Sequence, residues 1–457
     1  MFLDALDRLE MWALKMFDAT AKPPSGILSG NGNQYGDFDE CLSVDGAVRG
    51  KYCLASLQVS LEKDPRYAEL DNYIHSGHYL RSNITDVFGM PWAVVGRSAI
   101  LYTDSFLYLS GFLNAHNLLQ ELEKKDTIDI KKRLIARWFR LFPLFLSLML
   151  FCTYILPDIN NGPQWNLVVE EHGRVCQKNM WRSFLFIHNY FGFEEMCLTH
   201  THQIGMDMQL YVATLPLMLV LWKFRKFGWT LLISIAVAST ALRYLAIYWY
   251  DISMIVYYGI SVQKLMDAAK YCYILPTHRA TIYLIGVAMA YFMRTNKLNF
   301  TLSNNQSRLL WVSAFAVGMV TMISPYKMGL EGYKYEHFPA AVFAAFSPIT
   351  WGIFMCIVHW AICNDYAGVG TAFVESRVFK FLNKIAYSFY LTQFPIFFYN
   401  VGTQRHSGSY SPFLLLNIPE ILTVTVISIL TTVAIEMPFN KVYRIYFDKS
   451  QAKLKEK

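Results

Sequence analysis

Charged side chains are scarce in this sequence of 457 residues: only 16% are Asp, Glu, Lys or Arg, while 54% are hydrophobic. Soluble domains carry about 25% charged residues. The charges cluster before residue 80, between residues 120 and 140, and after residue 440, with long apolar segments between them. This scarcity excludes an ordinary water-soluble fold and indicates a chain that uses lipid as part of its solvent.

Metal-binding cysteine motifs are also absent, because none of the eight cysteines belongs to a CxxC pair. We therefore expect no metal and no tightly bound cofactor. The net charge of +7 does not indicate nucleic-acid binding, since no nucleic-acid-binding motif accompanies the basic residues, which lie beside hydrophobic segments. The expected partners are the lipid bilayer and a small lipid-like molecule, and the oligomeric state stays open.

Nine apolar segments predict an all-α polytopic membrane protein, because a transmembrane helix needs about 20 residues. The third and fifth segments are short, so we expect both helices to extend into neighbouring residues. The nine segments are 90–113, 134–156, 207–222, 228–250, 280–293, 308–324, 339–362, 380–400 and 413–436.

Lysine and arginine cluster in three connecting segments, which nine helices place on the same side of the membrane. The positive-inside rule makes that side cytosolic. We predict a multi-pass protein of the plasma membrane or endoplasmic reticulum, with its N-terminal region and the 157–206 loop lumenal or extracellular and its C-terminus cytosolic. On the lumenal side, Asn83-Ile84-Thr85 is a glycosylation acceptor. The basic clusters lie in residues 124–140, 223–226 and 441–457.

Four cysteines lie in polar segments assigned to the lumenal side, an oxidising environment in which disulfides persist. Cys41 and Cys53 belong to the turn-rich N-terminal region, and we expect each to be oxidised, with the other or with another cysteine there. Cys176 and Cys197 lie in the 157–206 loop. A disulfide between these two closes about 20 residues and adds roughly 3 kcal/mol of stability by the entropic estimate.

Ionisable side chains inside the predicted helices are functional candidates, because inserting each costs roughly 2.5–3.5 kcal/mol. Arg97 and Asp104 lie seven residues apart on the first helix. They share a face, but each needs a partner on another helix or a wet cavity. Arg243, His359 and Glu420 lie within later helices, where each fits either a functional site or a buried ion pair or snorkelling side chain.

The second predicted helix opens with Arg133, Arg137 and Arg140, whose spacings of four and three residues place them on one face. Two interpretations fit this face: membrane topology with contacts to anionic headgroups, or a site for the phosphates of a cytosolic acyl donor, which arginine binds with paired hydrogen bonds. Five other basic residues of this segment already supply the topology signal. We therefore expect Arg137 and Arg140 to line a cytosolic mouth that binds the donor.

Three histidines, His188, His200 and His202, lie in the predicted lumenal loop. A metal site needs ligands that converge with fixed geometry. Loop histidines are more often solvated, so the sequence favours exposed imidazoles and no metal at this place.

Several residue patterns resemble known families. Residues 13–19, 22–31 and 36–42 resemble the N-terminal domain of the nose resistant to fluoxetine proteins, and the apolar part resembles the acyltransferase 3 membrane fold. On this resemblance we expect the N-terminal lumenal domain in 1–80, the membrane domain in 81–446 and a basic cytosolic tail in 447–457. The acyltransferase 3 patterns are Thr103–Gly111, Arg137–Pro143, Asp207–Tyr211, Ala386–Leu391 and Glu436–Phe439.

This resemblance implies acyl transfer, usually from acyl-CoA, to a hydroxyl acceptor. It also implies a catalytic histidine in the first core helix, with an arginine eleven residues before it. Here residue 80 leads almost directly into the Asp104 helix, so two helices of the family pattern are missing, and Tyr67 stands where the arginine is expected before His78. A hydroxyl nucleophile needs a positioned base. The sequence therefore predicts a membrane acyltransferase-like protein, or a version of one that is inactive because the helix with the catalytic histidine is missing. The alternative is a non-catalytic lipid or drug carrier of epithelial membranes.

The resulting site hypothesis has a catalytic part and a substrate-binding part, with acyl-CoA as co-substrate and no metal. The catalytic candidates are His78, which stands where the family motif is only partly preserved, and Asp104. The substrate-binding candidates come from the arginine face and from two of the family patterns. They are Arg133, Arg137, Arg140, Asp207 and Glu436.

Overall fold

All the regular structure in the described part of the chain is helical, which confirms the predicted fold class. The computed structural model describes residues 1–22, 34–45, 48–55, 99–257, 260–295, 302–330, 333–366, 372–373, 375–406, 417–443 and 445. The chain divides into two compact units. The first unit comprises 1–87, 146–178 and 389–428, and the second unit comprises 88–145, 179–388 and 429–457.

Fifteen α-helices lie in these described ranges, three of them short and close to the N-terminus. The helices are α1 (Phe2–Asp7), α2 (Met11–Ala19), α3 (Phe38–Leu42), α4 (Ala99–Lys125), α5 (Ile130–Leu150), α6 (Glu171–Phe184), α7 (His202–Lys223), α8 (Arg225–Tyr250), α9 (Val262–Ala268), α10 (Pro276–Thr295), α11 (Asn304–Ile323), α12 (His337–Cys363), α13 (Arg377–Thr403), α14 (Ile418–Thr431) and α15 (Met437–Tyr443). A π-helical turn at Thr432–Glu436 joins the last two.

Six helical stretches of the described residues are long and apolar enough to cross a membrane, which agrees with a polytopic membrane protein. The short third and fifth predicted segments do extend, since α7 has 22 residues and α10 has 20. That the chain crosses nine times stays a prediction. The six stretches are Ile130–Asp158, Thr199–Lys223, Arg225–Tyr250, Asn304–Ile323, His337–Cys363 and Ile418–Tyr443.

Within the second unit, α4 and α10 pack so closely that their contact requires glycine on both helices. A Cβ atom on Gly111 would lie 2.1 Å from the carbonyl oxygen of Tyr283, and one on Gly286 would lie 2.2 Å from that of Tyr108. Small residues let two backbones approach in this way. The contact fixes the register of α4 against α10 and therefore the positions of the polar side chains that flank it.

The loop histidines correct the sequence analysis, because His188, His200 and His202 are only 1%, 6% and 7% exposed. Backbone carbonyls explain how two of the rings are accommodated. His188 Nε2 donates to the carbonyl oxygen of Thr201 at 3.0 Å, and His202 Nδ1 donates to that of Thr199 at 2.9 Å. Burial lowers the pKa of His188 to about 4, so this imidazole is neutral at pH 7.

Of the two cysteine predictions, one is confirmed and the other is wrong. Cys176 and Cys197 are disulfide-bonded, as predicted. Cys41 and Cys53 carry free thiols, which contradicts the expected oxidation. Their segment is held by non-covalent contacts: Tyr52 Oη donates to the carbonyl oxygen of Tyr35 at 2.8 Å, and the Phe38 ring packs against Tyr52 with centroids 4.9 Å apart. Burial raises the pKa of the Cys41 thiol.

Candidate functional site

The predicted residues Arg137 and Asp207 form an ion pair that joins α5 to α7 in the second unit. Both side chains are mostly buried, with exposures of 17% and 23%. The other carboxylate oxygen of Asp207 accepts a hydrogen bond from Ser110 Oγ on α4. Both oxygens of Asp207 are therefore held by neighbouring side chains, as expected of a residue that fixes the positions of others.

Asn114 extends this polar network to α10. Arg137 Nη1 donates to Asn114 Oδ1 at 3.0 Å, and Asn114 Nδ2 donates to the Tyr283 hydroxyl at 3.1 Å. That hydroxyl also accepts from Thr214 Oγ1 at 3.2 Å. The Arg137 guanidinium lies over the Tyr211 ring, 4.2 Å from its centroid. The network thus connects four helices through hydrogen bonds between side chains, although the buried Arg137 Nε has no acceptor among the described residues.

A cavity of about 480 Å³ lies one helical turn from this network. Arg133 lines it one turn before Arg137 on α5, and Asn117 lines it close to Asn114 on α4. The lining is rich in charge, with four basic side chains against two acidic ones. The lining residues are Asn117, Gln120, Glu121, Lys124, Lys125, Asp129, Lys132, Arg133, Ala136 and Tyr443.

The three arginines of α5 consequently have three different environments. Arg133 lines the cavity and donates from Nε to Glu121 Oε2 at 2.7 Å. Arg137 is occupied by the buried network, while Arg140 is exposed and does not line this cavity. Arg137 and Arg140 do not line this cavity, and Arg137 pairs with Asp207 instead. That the two arginines bind an acyl donor stays a prediction.

Glu436, another predicted substrate-binding residue, lies apart from the Arg137 network. Its Oε2 accepts a hydrogen bond from Ser388 Oγ at 3.1 Å, and Ser388 Oγ in turn accepts from Thr432 Oγ1 at 2.7 Å. Arg140 interacts electrostatically with this carboxylate. Within the described residues, the structure places Glu436 with Arg140 and Ser388, and its role in substrate binding stays a prediction.

Asp104, the second catalytic candidate, is completely buried and ion-paired. Arg279 on α10 donates from Nε to Asp104 Oδ1 at 3.1 Å and from Nη2 to Thr103 Oγ1 at 2.8 Å. Arg243 on α8 lies nearby, with its Nη1 at 3.9 Å from Asp104 Oδ2. The expectation that Asp104 needs a partner on another helix is confirmed, and two arginines supply it.

Some predicted residues lie outside the described part of the chain, namely His78, Asn83 and Arg97. Two other intrahelical candidates have polar neighbours. His359 Nδ1 lies 3.4 Å from the Tyr108 hydroxyl, and Glu420 accepts from Asn400 in the first unit. The partner is uncharged in both contacts, and the choice between a functional and a structural role for these side chains stays a prediction.

Sequence reasoning missed Ser110, Asn114, Tyr283 and Arg279. Ser110 and Asn114 lie four residues apart on α4, so one helix face carries both. The available signal was that spacing, which begins at Ser110 in the Thr103–Gly111 pattern and ends just after it at Asn114. Tyr283 and Arg279 offered none, because tyrosine is common in this chain and Arg279 precedes the apolar segment that marked its helix.

Comparisons with known proteins identify two family matches in this chain. Residues 73–437 match the family described as Acyltransferase domain, and residues 1–89 match the one described as Nose resistant-to-fluoxetine protein, N-terminal domain. Nose resistant to fluoxetine protein 6 of Caenorhabditis elegans is 22% identical over 382 residues, covering 77% of this chain and 46% of that protein. Regulator of hypoxia-inducible factor 1 of the same organism is 26% identical over 251 residues, covering 52% and 47%.

The chain therefore spans about half the length of the curated relatives it matches. No solved structure matches it. The family match extends over most of the chain and includes every helix of the Arg137 network. The chain belongs to the acyltransferase 3 family and carries the N-terminal domain of the nose resistant to fluoxetine proteins.

Proposed function

We propose that this protein transfers acyl groups from an anionic thioester donor, acyl-CoA, to a hydroxyl acceptor. The observation that carries the proposal is the basic cavity beside the Arg137 network. At about 480 Å³ its volume falls in the range of roughly 300–1,000 Å³ that small-molecule sites occupy. Coenzyme A carries several phosphate charges, which lysine and arginine side chains bind by charge-assisted hydrogen bonds.

The charge of the cavity favours such a donor. Lys124, Lys125, Lys132 and Arg133 outnumber the two acidic residues of the lining. Glu121, one of those two, already accepts from Arg133 and from Lys125 at 3.4 Å. The cavity thus offers excess positive charge to a ligand, while an uncharged lipid gains nothing from it.

The Arg137 network gives this cavity a rigid wall. Arg133 and Arg137 are one turn apart on α5, and Asn114 and Asn117 are about one turn apart on α4, so the network braces both helices about 5 Å from the lining. In this arrangement Arg137 and Asp207 are positioning residues, and Arg133 with its neighbouring lysines contacts the donor. Cationic side chains that are already held in place bind an anion more tightly, because less conformational entropy is lost on binding.

The test is binding of coenzyme A to the purified full chain in lipid nanodiscs, measured by calorimetry. Lys124→Glu combined with Lys132→Glu reverses two charges of the lining and is expected to weaken binding at least tenfold. Lys334→Glu is the matched control, since Lys334 is exposed and does not line the cavity. Equal affinity of the double variant and the native chain contradicts the proposal.

Catalysis is separated from binding by measuring release of free thiol from acetyl-CoA in the presence of an alcohol acceptor. Thiol release that saturates with donor supports acyl transfer. Binding of coenzyme A without any thiol release instead identifies a carrier that holds the donor and does not react it, which overturns the enzymatic part of the proposal.

A further inference from the structure

Two arginines and one aspartate are buried together where α4, α8 and α10 pack in the second unit. The side chains of Asp104 and Arg279 are 0% exposed, and that of Arg243 is 2% exposed. Arg279 is well satisfied, because it donates to Asp104 and Thr103 and lies over the Tyr273 ring at 4.7 Å from the centroid. The single carboxylate is therefore committed mainly to Arg279.

Arg243 is the unsatisfied member of this cluster. Among the described residues, its Nε and Nη1 atoms have no hydrogen-bond acceptor, and neither does Asp104 Oδ2 have a donor. The 3.9 Å between Nη1 and Oδ2 is too long for a hydrogen bond. A guanidinium does not lose its proton in proteins, so a buried Arg243 keeps a full charge with two donors unused, which is unfavourable without a further anion.

Within the part of the chain that the structure describes, the ionisable neighbours of the cluster supply no second anion. Cys272 interacts electrostatically with Arg243, Arg279 and Asp104 and is a buried thiol. His278 interacts with Arg243, and His202 interacts with Arg279, but imidazoles are neutral or cationic. Two guanidinium groups thus face one carboxylate, which leaves one positive charge for a ligand to neutralise.

An apolar cavity of about 130 Å³ adjoins the cluster through Tyr273, which lines the cavity and packs under Arg279. Arg279 Nη1 also donates to the Tyr273 carbonyl oxygen at 3.5 Å. On α8, Ile247 follows Arg243 by one turn and packs with the cavity residues Met254 and Ile255. The cavity residues are Ser253, Met254, Ile255, Val256, Leu265, Ala268, Ala269 and Tyr273.

We propose that this cluster and cavity form a binding site for a monocarboxylate with a short apolar tail. The carboxylate accepts a charge-assisted hydrogen bond from Arg243 Nη1, which has no acceptor among the described residues, and the tail fills the apolar cavity. One negative charge neutralises the net positive charge of the cluster, whereas a phosphate dianion would make the cluster net negative. A halide neutralises the charge but leaves the apolar cavity unfilled. The proposal is independent of acyl transfer from coenzyme A.

The test uses sodium butanoate with the purified full chain in nanodiscs, measured by calorimetry and by the rise in Tm. Butanoate is expected to bind saturably, with at least tenfold weaker binding in Arg243→Lys and none in Arg243→Met. Arg308→Met is the control, because Arg308 is an exposed arginine of α11. Binding of butan-1-ol or chloride as tight as that of butanoate overturns the proposal, as does full butanoate binding by Arg243→Met.

Two further measurements test the proposal if the Arg243 variants are too unstable for binding studies. Ala269→Leu places a larger side chain in the cavity lining and should weaken butanoate at least fivefold while leaving acetate unchanged. Without ligand, Arg243→Met removes a buried charge whose Nε and Nη1 have no hydrogen-bond acceptor among the described residues, and it should raise Tm. Equal loss of acetate and butanoate binding in Ala269→Leu contradicts the location of the tail, and a large fall in Tm for Arg243→Met shows that Arg243 is already satisfied.

Discussion

The Arg137 guanidinium on α5 donates to the Asp207 carboxylate on α7, and both side chains are more than three-quarters buried. Each group also binds α4, Arg137 through Asn114 and Asp207 through Ser110. A carboxylate and a guanidinium removed from water in this way are stable only as a pair. The pair thus links α4, α5 and α7, and the basic cavity proposed to bind the donor lies one turn away.

Removing one member of the pair should destabilise the protein. Asp207→Asn leaves the Arg137 charge partly buried without its partner, and the expected loss is about 1–3 kcal/mol, reduced from the value for fully buried pairs because both groups retain some solvent contact. Thermal unfolding in nanodiscs measures the effect. Asp158→Asn, at an exposed aspartate, is expected to change Tm by no more than 1 °C.

A double-mutant cycle with Arg137→Gln sharpens this prediction. Because the two charges are lost together, the double variant should be less destabilised than the sum of the two single variants. Strict additivity of the three Tm changes would show that Arg137 and Asp207 do not interact in the folded protein.

The glycine contact between α4 and α10 predicts a strong effect from one added methyl group. In Gly111→Ala the new Cβ overlaps the Tyr283 carbonyl oxygen, which belongs to the backbone and cannot rotate away. The helices must separate, at a cost of about 1–3 kcal/mol, and the Asn114–Tyr283 hydrogen bond must lengthen. Gly318→Ala is the matched control, because its Cβ meets a Phe354 ring, which can move.

The fall in Tm of Gly111→Ala should therefore exceed that of Gly318→Ala by several degrees. Coenzyme A binding should weaken with it, since the brace beside the cavity moves. A Gly111→Ala protein with native Tm and native binding is incompatible with the close contact.

Much of the helical architecture could be predicted from hydropathy, because lipid-crossing segments must be long and apolar. The extension of the short segments into α7 and α10 also followed from that length requirement. The identity of the residue that pairs with Asp104 could not be predicted in this way, although the need for a partner was predicted. Arg279 lies 175 residues away in the chain and just outside an apolar segment, so only the three-dimensional packing of α4 against α10 identifies it.

The buried histidines are a second feature that could not be predicted from the sequence. His188 lies in a polar segment, and its burial depends on a carbonyl acceptor at Thr201 that no local pattern announces. The different environments of Arg133 and Arg137 are a third feature that could not be predicted from the sequence. Both were placed on one helix face, but the choice between cavity lining and ion pair depends on where α7 brings Asp207.

His188 predicts a pH dependence of stability. Its folded pKa is lowered to about 4 by burial, whereas the unfolded chain titrates near 6.5. The unfolded state therefore binds more protons between these two pH values. The stability that neutral His188 contributes to the folded state is complete above about pH 6.5 and is lost as the pH falls toward 4. The expected loss over this window is about 3 kcal/mol.

Thermal unfolding at pH 7.5 and pH 4.5 measures this effect, and His188→Gln keeps an N–H donor near Thr201 without a titratable ring. The variant should lose less stability than the native chain on acidification. Identical pH profiles for the two proteins would assign the acid sensitivity to other groups.

The disulfide between Cys176 and Cys197 should stabilise the segment that it closes. Replacing both residues by serine removes a constraint on about 20 residues and is expected to cost about 3 kcal/mol by the entropic estimate. Non-reducing mass spectrometry of peptides detects the linkage, and Tm reports its effect. Cys363→Ser is the control at an exposed free cysteine; a double variant as stable as this control contradicts a stabilising role.

The most direct test of anionic-donor binding is the salt dependence of coenzyme A affinity for the full chain in nanodiscs. Binding at the basic cavity predicts a Kd that rises steeply between 50 and 300 mM salt, because exposed lysine and arginine side chains are screened over this range. It also predicts a shallower rise in the variant carrying Lys124→Glu and Lys132→Glu. Coenzyme A affinity that is independent of salt, or a salt dependence unchanged by the two reversed charges, would contradict the assignment of the donor to this cavity.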